Sequence, residues 1–430
     1  MPTTVMPLAH AACIDSSGNV VGFDWSQTNW CPVGTRSPAD RANFPSTFQN
    51  YPGGFGSGFG GSFPSNVWYY SASDMHAYNQ LTTRDPVSRR YPVYEFGLKE
   101  KTKAAYLQFN LEGDRWNGNI GVRLVKTSQD VLQYLAGGSA STTGSINTAW
   151  GYFTPQLVSN NYTDVLPTLN FKFDLSDTLV ARVAATKTIA RPDYSALAGG
   201  LSLSPPASPN DVGGGSSSNP NLRPIRSTNF DAALEWYYAP RALLSASVYY
   251  MDLSSYIGQG QSTQQFLTFD QAHPNGYMGN YLVTSPINTK GSVKGLELAV
   301  EQPLGENFGI NANVSFTDAA ESNGKPLVGA SRNVFNLVGY YENSHLNARI
   351  AYNYRSHFFN GLDRRSAFNQ DNTQSVSASV GWTFNDNFSV SLDGMNLTNE
   401  KLRYYADNKD QPRGIYQNGR QYYLNFRFKF

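Results

Sequence analysis

The chain is short of charge, cysteine, histidine and long apolar runs, and each shortage excludes something. Charged residues make up 15% of its 430 residues, against about 25% in an ordinary soluble domain. The formal net charge of +1 leaves no basic footprint for a nucleic-acid partner. No run of about 18 apolar residues occurs, so no transmembrane helix is expected. The histidines, His10, His76, His273, His345 and His357, are scattered, with neither HExxH nor a Cys/His cluster of zinc spacing. GxSxG is missing as well. Glu297 and Glu301 share one face of an expected strand, where a polar wall accounts for them better than an acid–base pair does. No catalytic residue, metal site or cofactor is expected, and the chain reads as a non-enzyme. The two cysteines, Cys13 and Cys31, lie among Gly, Asn, Ser and Pro. In an oxidising compartment they would pair; in a reducing one they would be free thiols. Met1 to Ala12 shows neither the basic start nor the apolar stretch of a signal peptide.

What the chain has in quantity is aromatic residues, 14%, and 38 glycines, a composition suited to strands and loops. Its last nine residues alternate without a fault. Tyr422, Leu424, Phe426, Phe428 and Phe430 fall on one face of a strand, with Asn425, Arg427 and Lys429 on the other. The same alternation recurs in Leu107–Leu111, Ile120–Leu124, Phe230–Tyr238, Phe308–Phe316, Leu346–Tyr354 and Val376–Phe384. It predicts about thirteen strands of about ten residues, long enough to cross a bilayer at a tilt. Mean hydropathy is −0.42, which is no objection, because a lipid-facing stripe averages out against a polar one.

The connections also alternate. Short turns, such as those at 175–177, 239–241, 304–307 and 385–387, follow every other strand. Long segments at 128–163, 188–228, 253–290, 318–331 and 356–373 separate the hairpins. A sandwich has no reason to sort its loops by length onto two ends, whereas an outer-membrane barrel has short periplasmic turns and long external loops. The fold expected is therefore all-β, an antiparallel transmembrane barrel with outer-membrane lipid as a partner. Residues 104–430 would carry its strands and residues 1–103 a large extracellular loop with a short helix near 71–80. The glycine run at 51–63 has no leading strand and no following GK[ST], so it reads as loop rather than phosphate cradle.

The expected lumen-facing set, Arg123, Lys172, Arg182, Asp231, Glu235, Glu297, Arg349, Arg355 and Arg427, mixes both signs, so no single-charge filter is indicated. Loop aromatics are the candidate ligand contacts: Trp25, Trp30, Tyr69, Tyr70, Tyr194, Tyr256 and Tyr277, whose flat faces suit sugar rings or planar chelates.

Several stretches together resemble the C-terminal half of TonB-dependent outer-membrane receptors, especially the large Xanthomonas/Caulobacter type. They include EKTKAAYLQFNLEG at 100–113, LVARVAATKTIARPDYSAL at 179–197 and NPNLRPIRSTNFDAALEWYY at 219–238. GSVKGLELAVEQPL at 291–304, GASRNVFNLVGYYE at 329–342, NLTNEKLRYY at 396–405 and the terminal strand continue the series. The resemblance implies a 22-stranded barrel, an N-terminal plug, a small nutrient ligand and import energised through TonB. It implies carbohydrate as the ligand, with an iron-chelating siderophore or a passive porin-like channel as alternatives. It also makes the terminal strand, with Tyr422, Leu424, Phe426, Phe428 and Phe430, a signal for the barrel-assembly machinery. Against that pattern the chain is expected to be a fragment, with thirteen of 22 strands and no plug. The external placement favours a disulfide between Cys13 and Cys31.

Overall fold

The computed structural model describes residues 11–14, 20–24, 49–50, 68–69, 71, 73, 90–136, 141–148, 151–268, 277–363 and 366–430. Its main feature is a 16-stranded sheet in which thirteen strands follow one another along a single path. In chain order these are β1 (Gly97–Gly113), β2 (Trp116–Ala136), β3 (Gly151–Asp174), β4 (Leu179–Ala190) and β5 (Ile225–Ala239). Then come β6 (Ala242–Thr268), β7 (Tyr277–Leu304), β8 (Phe308–Glu321) and β9 (Asn333–Glu342). β10 (Leu346–Arg355), β11 (Thr373–Asn385), β12 (Phe388–Met395) and β13 (Gln421–Phe428) complete the path. Every neighbouring pair is antiparallel. Among the described residues, β1 pairs only with β2 and β13 only with β12 along this path.

Register turns the alternation of single strands into two continuous faces. On one face Leu107 stands opposite Val122, and Val122 opposite Pro167. Farther along, Leu298 opposes Val314, Val314 opposes Phe335, and Leu392 opposes Leu424. These side chains are not covered by protein: Leu107, Val248, Ile350, Val380 and Leu424 are all exposed. An exposed apolar belt of this extent has one stable environment, the hydrocarbon of a membrane.

Aromatic rings edge the belt at the short-turn end. Trp116 meets Phe171, Trp236 meets Tyr238, Phe308 meets Tyr341 and Phe388 stacks on Phe428, with ring centroids 5.8, 5.2, 4.7 and 4.8 Å apart. Amphipathic rings settle at the membrane–water boundary. From Phe308 to Phe316 at the far edge is about 27 Å along the strand, at ~3.4 Å per residue. The short turns are stitched sideways to one another. Asp174 N–H donates to Arg115 O, Glu342 N–H to Asn307 O, and Lys429 N–H to Asn387 O, at 2.7–2.9 Å.

Three expectations require correction. Strands of about ten residues are too short: β6 has 27 residues and β7 has 28. Much of the segments expected as loops at 128–163 and 253–290 is strand, with Gln129 opposite Asn160 and Gln261 opposite Thr284. Beyond the bilayer neither face needs to be apolar, so alternation lapses while the hydrogen-bond ladder continues. For the same reason the boundary expected at 103/104 falls inside β1, which starts at Gly97 through the polar run Lys99–Lys103.

The long-loop end holds the packed core. Val131, Leu197, Ala198 and Leu222 are buried together, with Phe96, Leu98, Ala196 and Ile257 against them. Segment 191–224 supplies much of this through α1 (Tyr194–Leu197) and a small hairpin, Ser202–Ser204 with Val212–Ser216. The second of these strands runs parallel to Asn280–Thr284 of β7. Strands Phe358–Asp363, Ser366–Gln370, Lys401–Tyr405 and Pro412–Gln417 form a separate four-stranded sheet at the same end. Of the helix expected near 71–80, only Ser71 and Ser73 are described.

Candidate functional site

The face opposite the apolar belt is polar, and its side chains bond to one another within and across strands. Arg182 of β4 faces Glu235 of β5 at 2.8 Å, and Tyr237 OH donates to the same carboxylate at 3.0 Å. Lys172 pairs with Asp174 at 2.9 Å. Asn170 donates to Asn119, Asn336 to Asn313 and Asn425 to Asp393, at 3.0, 2.8 and 2.6 Å. The Tyr249 ring lies over Gly295, directly opposite in register, where a Cβ would stand 2.4 Å from the ring. Of these, Asn119, Asn170, Lys172, Arg182 and Tyr249 line an open groove of about 460 Å³, together with Asp231, Ser247 and Glu297. Lys172, Arg182, Asp231 and Glu297 thus come together as the sequence pattern expects. Arg355 departs from that set. It is drawn to the long-loop end, donating to Ser331 Oγ at 2.7 Å and lying 3.8 Å over the Phe358 ring.

Above this groove, where segment 191–224 folds against the sheet, lies a more buried polar cluster. Arg191 pairs with Glu100 at 3.2 Å and Arg226 with Asp164 at 2.6 Å. Directly opposite Glu100 in register, Gln129, 1% exposed, has neither of its amide atoms hydrogen-bonded, and Glu100 Oε2 and Asp164 Oδ2 are likewise buried without partners. Sequence patterning missed all five residues, because they lie where alternation has lapsed.

The described loop aromatics are not gathered into one site. Trp25, Trp30 and Tyr70 lie outside the described residues, and Tyr69 belongs to a two-residue strand, Trp68–Tyr69. Tyr194 is exposed at the start of α1. Tyr256 is half-buried, and its hydroxyl accepts a hydrogen bond from Val328 N–H at 3.2 Å. Burial, partly offset by that bond, pushes its phenol above the usual range. Tyr277 opens β7 opposite Thr268. Cys13 sits in the strand Ala11–Ile14, while Cys31 lies outside the described residues. Among the described residues no group of three or more His, Cys, Asp or Glu is placed to hold a metal ion.

The two-faced antiparallel sheet has known counterparts. The family description "TonB dependent receptor-like, beta-barrel" matches residues 15–397. The chain belongs to that family. No match is found among curated proteins. Similar solved structures include the siderophore receptor PirA from Acinetobacter baumannii, with TM-score 0.52 and 13% identity over 78% of this chain and 55% of that one. PiuA, a siderophore receptor from the same organism, gives 0.52 and 14% over 98% of this chain and 50% of that one. The copper transporter OprC gives 0.54 and 17% over 77% and 48%. At such identities these structures share the fold, and the chain spans about half the length of each. As a TonB-dependent receptor barrel, it is a protein of the bacterial outer membrane, and its exposed belt is the lipid-facing surface.

Proposed function

We propose that this chain forms part of the wall and outer mouth of an energised importer. A neutral carbohydrate would be taken up at the long-loop end, and TonB would drive passage by acting on a plug held in the same receptor. The observation that carries this reading is the pairing of the cations in the groove and in the cluster above it. Lys172, Arg182, Arg191 and Arg226 each have a carboxylate partner within 3.2 Å. A groove whose cations are paired, with Asp231 and Glu297 beside them, gives little surplus attraction to an anionic iron chelate, while its hydroxyl and amide groups suit a hydroxylated solute.

The test is uptake of labelled maltodextrin and of a labelled ferric siderophore in a receptor-deficient strain. That strain would carry the full reading frame containing this chain, with and without TonB. Sugar uptake that disappears without TonB supports the proposal. Uptake of the ferric chelate alone would overturn the ligand class, and sugar uptake indifferent to TonB would indicate a passive channel.

A further inference from the structure

The turn that leads into β1 and segment 191–224 enclose a concavity of about 350 Å³ at the long-loop end. Its lining includes Tyr94, Gly199, Gly200, Ser202, Ser216 and Ser217. None of the described residues lining it carries a formal charge. The hydroxyls of Ser202, Ser216 and Ser217 have no side-chain hydrogen bond among the described residues. Tyr94 is 57% exposed, yet its ring is braced. It packs edge-on against Tyr91 at 5.8 Å, and Tyr91 packs against the buried Phe153 at 5.6 Å.

The walls are fixed from behind. Arg90 grips Glu95 through three hydrogen bonds of 2.7–3.2 Å, closing the short 3-10 turn Pro92–Tyr94. Gly200 N–H donates to Val93 O, joining the two wall segments so closely that a Cβ at Gly200 would stand 2.5 Å from that oxygen. The parallel strand Val212–Ser216 holds the serines against β7.

We propose that this concavity binds one neutral sugar ring, as a subsite of the carbohydrate importer proposed above, on which reading it rests. An ionic ligand would leave water for a lining with no countercharge. A pyranose instead presents hydroxyls that both donate and accept, as serine does, and an apolar C–H face for the Tyr94 ring. A ring and walls already held in place lower the ordering cost of binding.

The test is calorimetric titration of the purified full receptor with maltotriose, cellotriose and xylotriose, and with ferric citrate as an anionic control. At least one trisaccharide should bind. Tyr94→Ala should weaken that binding about tenfold, the loss expected for an aromatic anchor. Tyr94→Phe should retain it, and Gly200→Val should weaken it by forcing the walls apart. Each variant must keep the heat-modifiable migration of a folded barrel. Wild-type affinity in both Tyr94→Ala and Gly200→Val would overturn the subsite while leaving the importer reading intact. Binding of none of the three sugars would also overturn it. TonB-dependent sugar uptake, scored separately, decides the importer reading.

Discussion

Gln129 keeps two polar atoms buried and unpaired beside Glu100, which stands directly opposite it. Leaving such groups unsatisfied costs about 1–3 kcal/mol, and an apolar replacement of similar shape is often neutral or stabilising. Gln129→Leu should therefore leave unchanged or raise the temperature at which the folded band converts on heat-modifiability gels. Asp164→Ala should do the opposite. It strands Arg226 in a half-buried site, at a cost of ~3 kcal/mol, and should lower that temperature. Gly295 answers to packing rather than to charge. Gly295→Val drives methyl groups into the Tyr249 ring and should be destabilising, with Tyr249→Ala in the same chain restoring part of the loss. None of these roles was legible in the sequence, because pairing across strands depends on register and periodicity does not give register. The lumen-facing identities of Lys172, Arg182, Asp231 and Glu297 were legible, since each lies within an unbroken alternation.

At the scale of elements, the terminal strand was the clearest sequence signal. β13 lies against β12 with Phe426 opposite Val390 and Phe428 opposite Phe388, and Asn387 side-chain N–H donates to Lys429 O at 2.7 Å beyond the strand end. We propose that it also serves as the assembly signal. Phe430→Ser, or loss of the last three residues, should sharply reduce membrane insertion of the full receptor, scored as folded band in outer-membrane fractions. The external four-stranded sheet was not legible, because its strands are too short, at five or six residues, for alternation to stand out. One tether holding it is the Lys409–Asp371 pair at 2.7 Å. Burial would raise the Asp371 carboxyl, but the hydrogen bonds from Lys409 and from Asn372 N–H outweigh it and hold it below its usual range. The same bond raises the Lys409 ammonium. A depressed carboxyl stabilises above its unfolded value and loses that contribution as pH falls through its folded value. A raised ammonium stabilises below its unfolded value and loses its contribution as pH rises through the folded one. The tether therefore holds across neutral pH and fails at both extremes. Asp371→Asn should reproduce the acid result at neutral pH, seen as faster proteolytic nicking within 401–417.

For the whole molecule, strand number and direction constrain closure. Thirteen antiparallel strands in one path leave β1 and β13 pointing the same way, so antiparallel closure requires an odd number of further strands. The two-faced character of the sheet was legible from alternation alone, and its long-loop core was not, since Val131, Leu197 and Leu222 come from segments without periodicity. One face of this sheet meets lipid and the other a polar lumen. Single cysteines placed from residue 308 to residue 316 of β8 in the full receptor, with Cys13 and Cys31 replaced by Ser, test this two-sidedness. Labelling in intact outer membranes with a small water-soluble thiol reagent should follow period two. Positions 309, 311, 313 and 315 should react, while 308, 310, 312, 314 and 316 should be protected and should instead be quenched by lipid-borne probes. Equal labelling along the strand, or the reverse phase, would contradict the account.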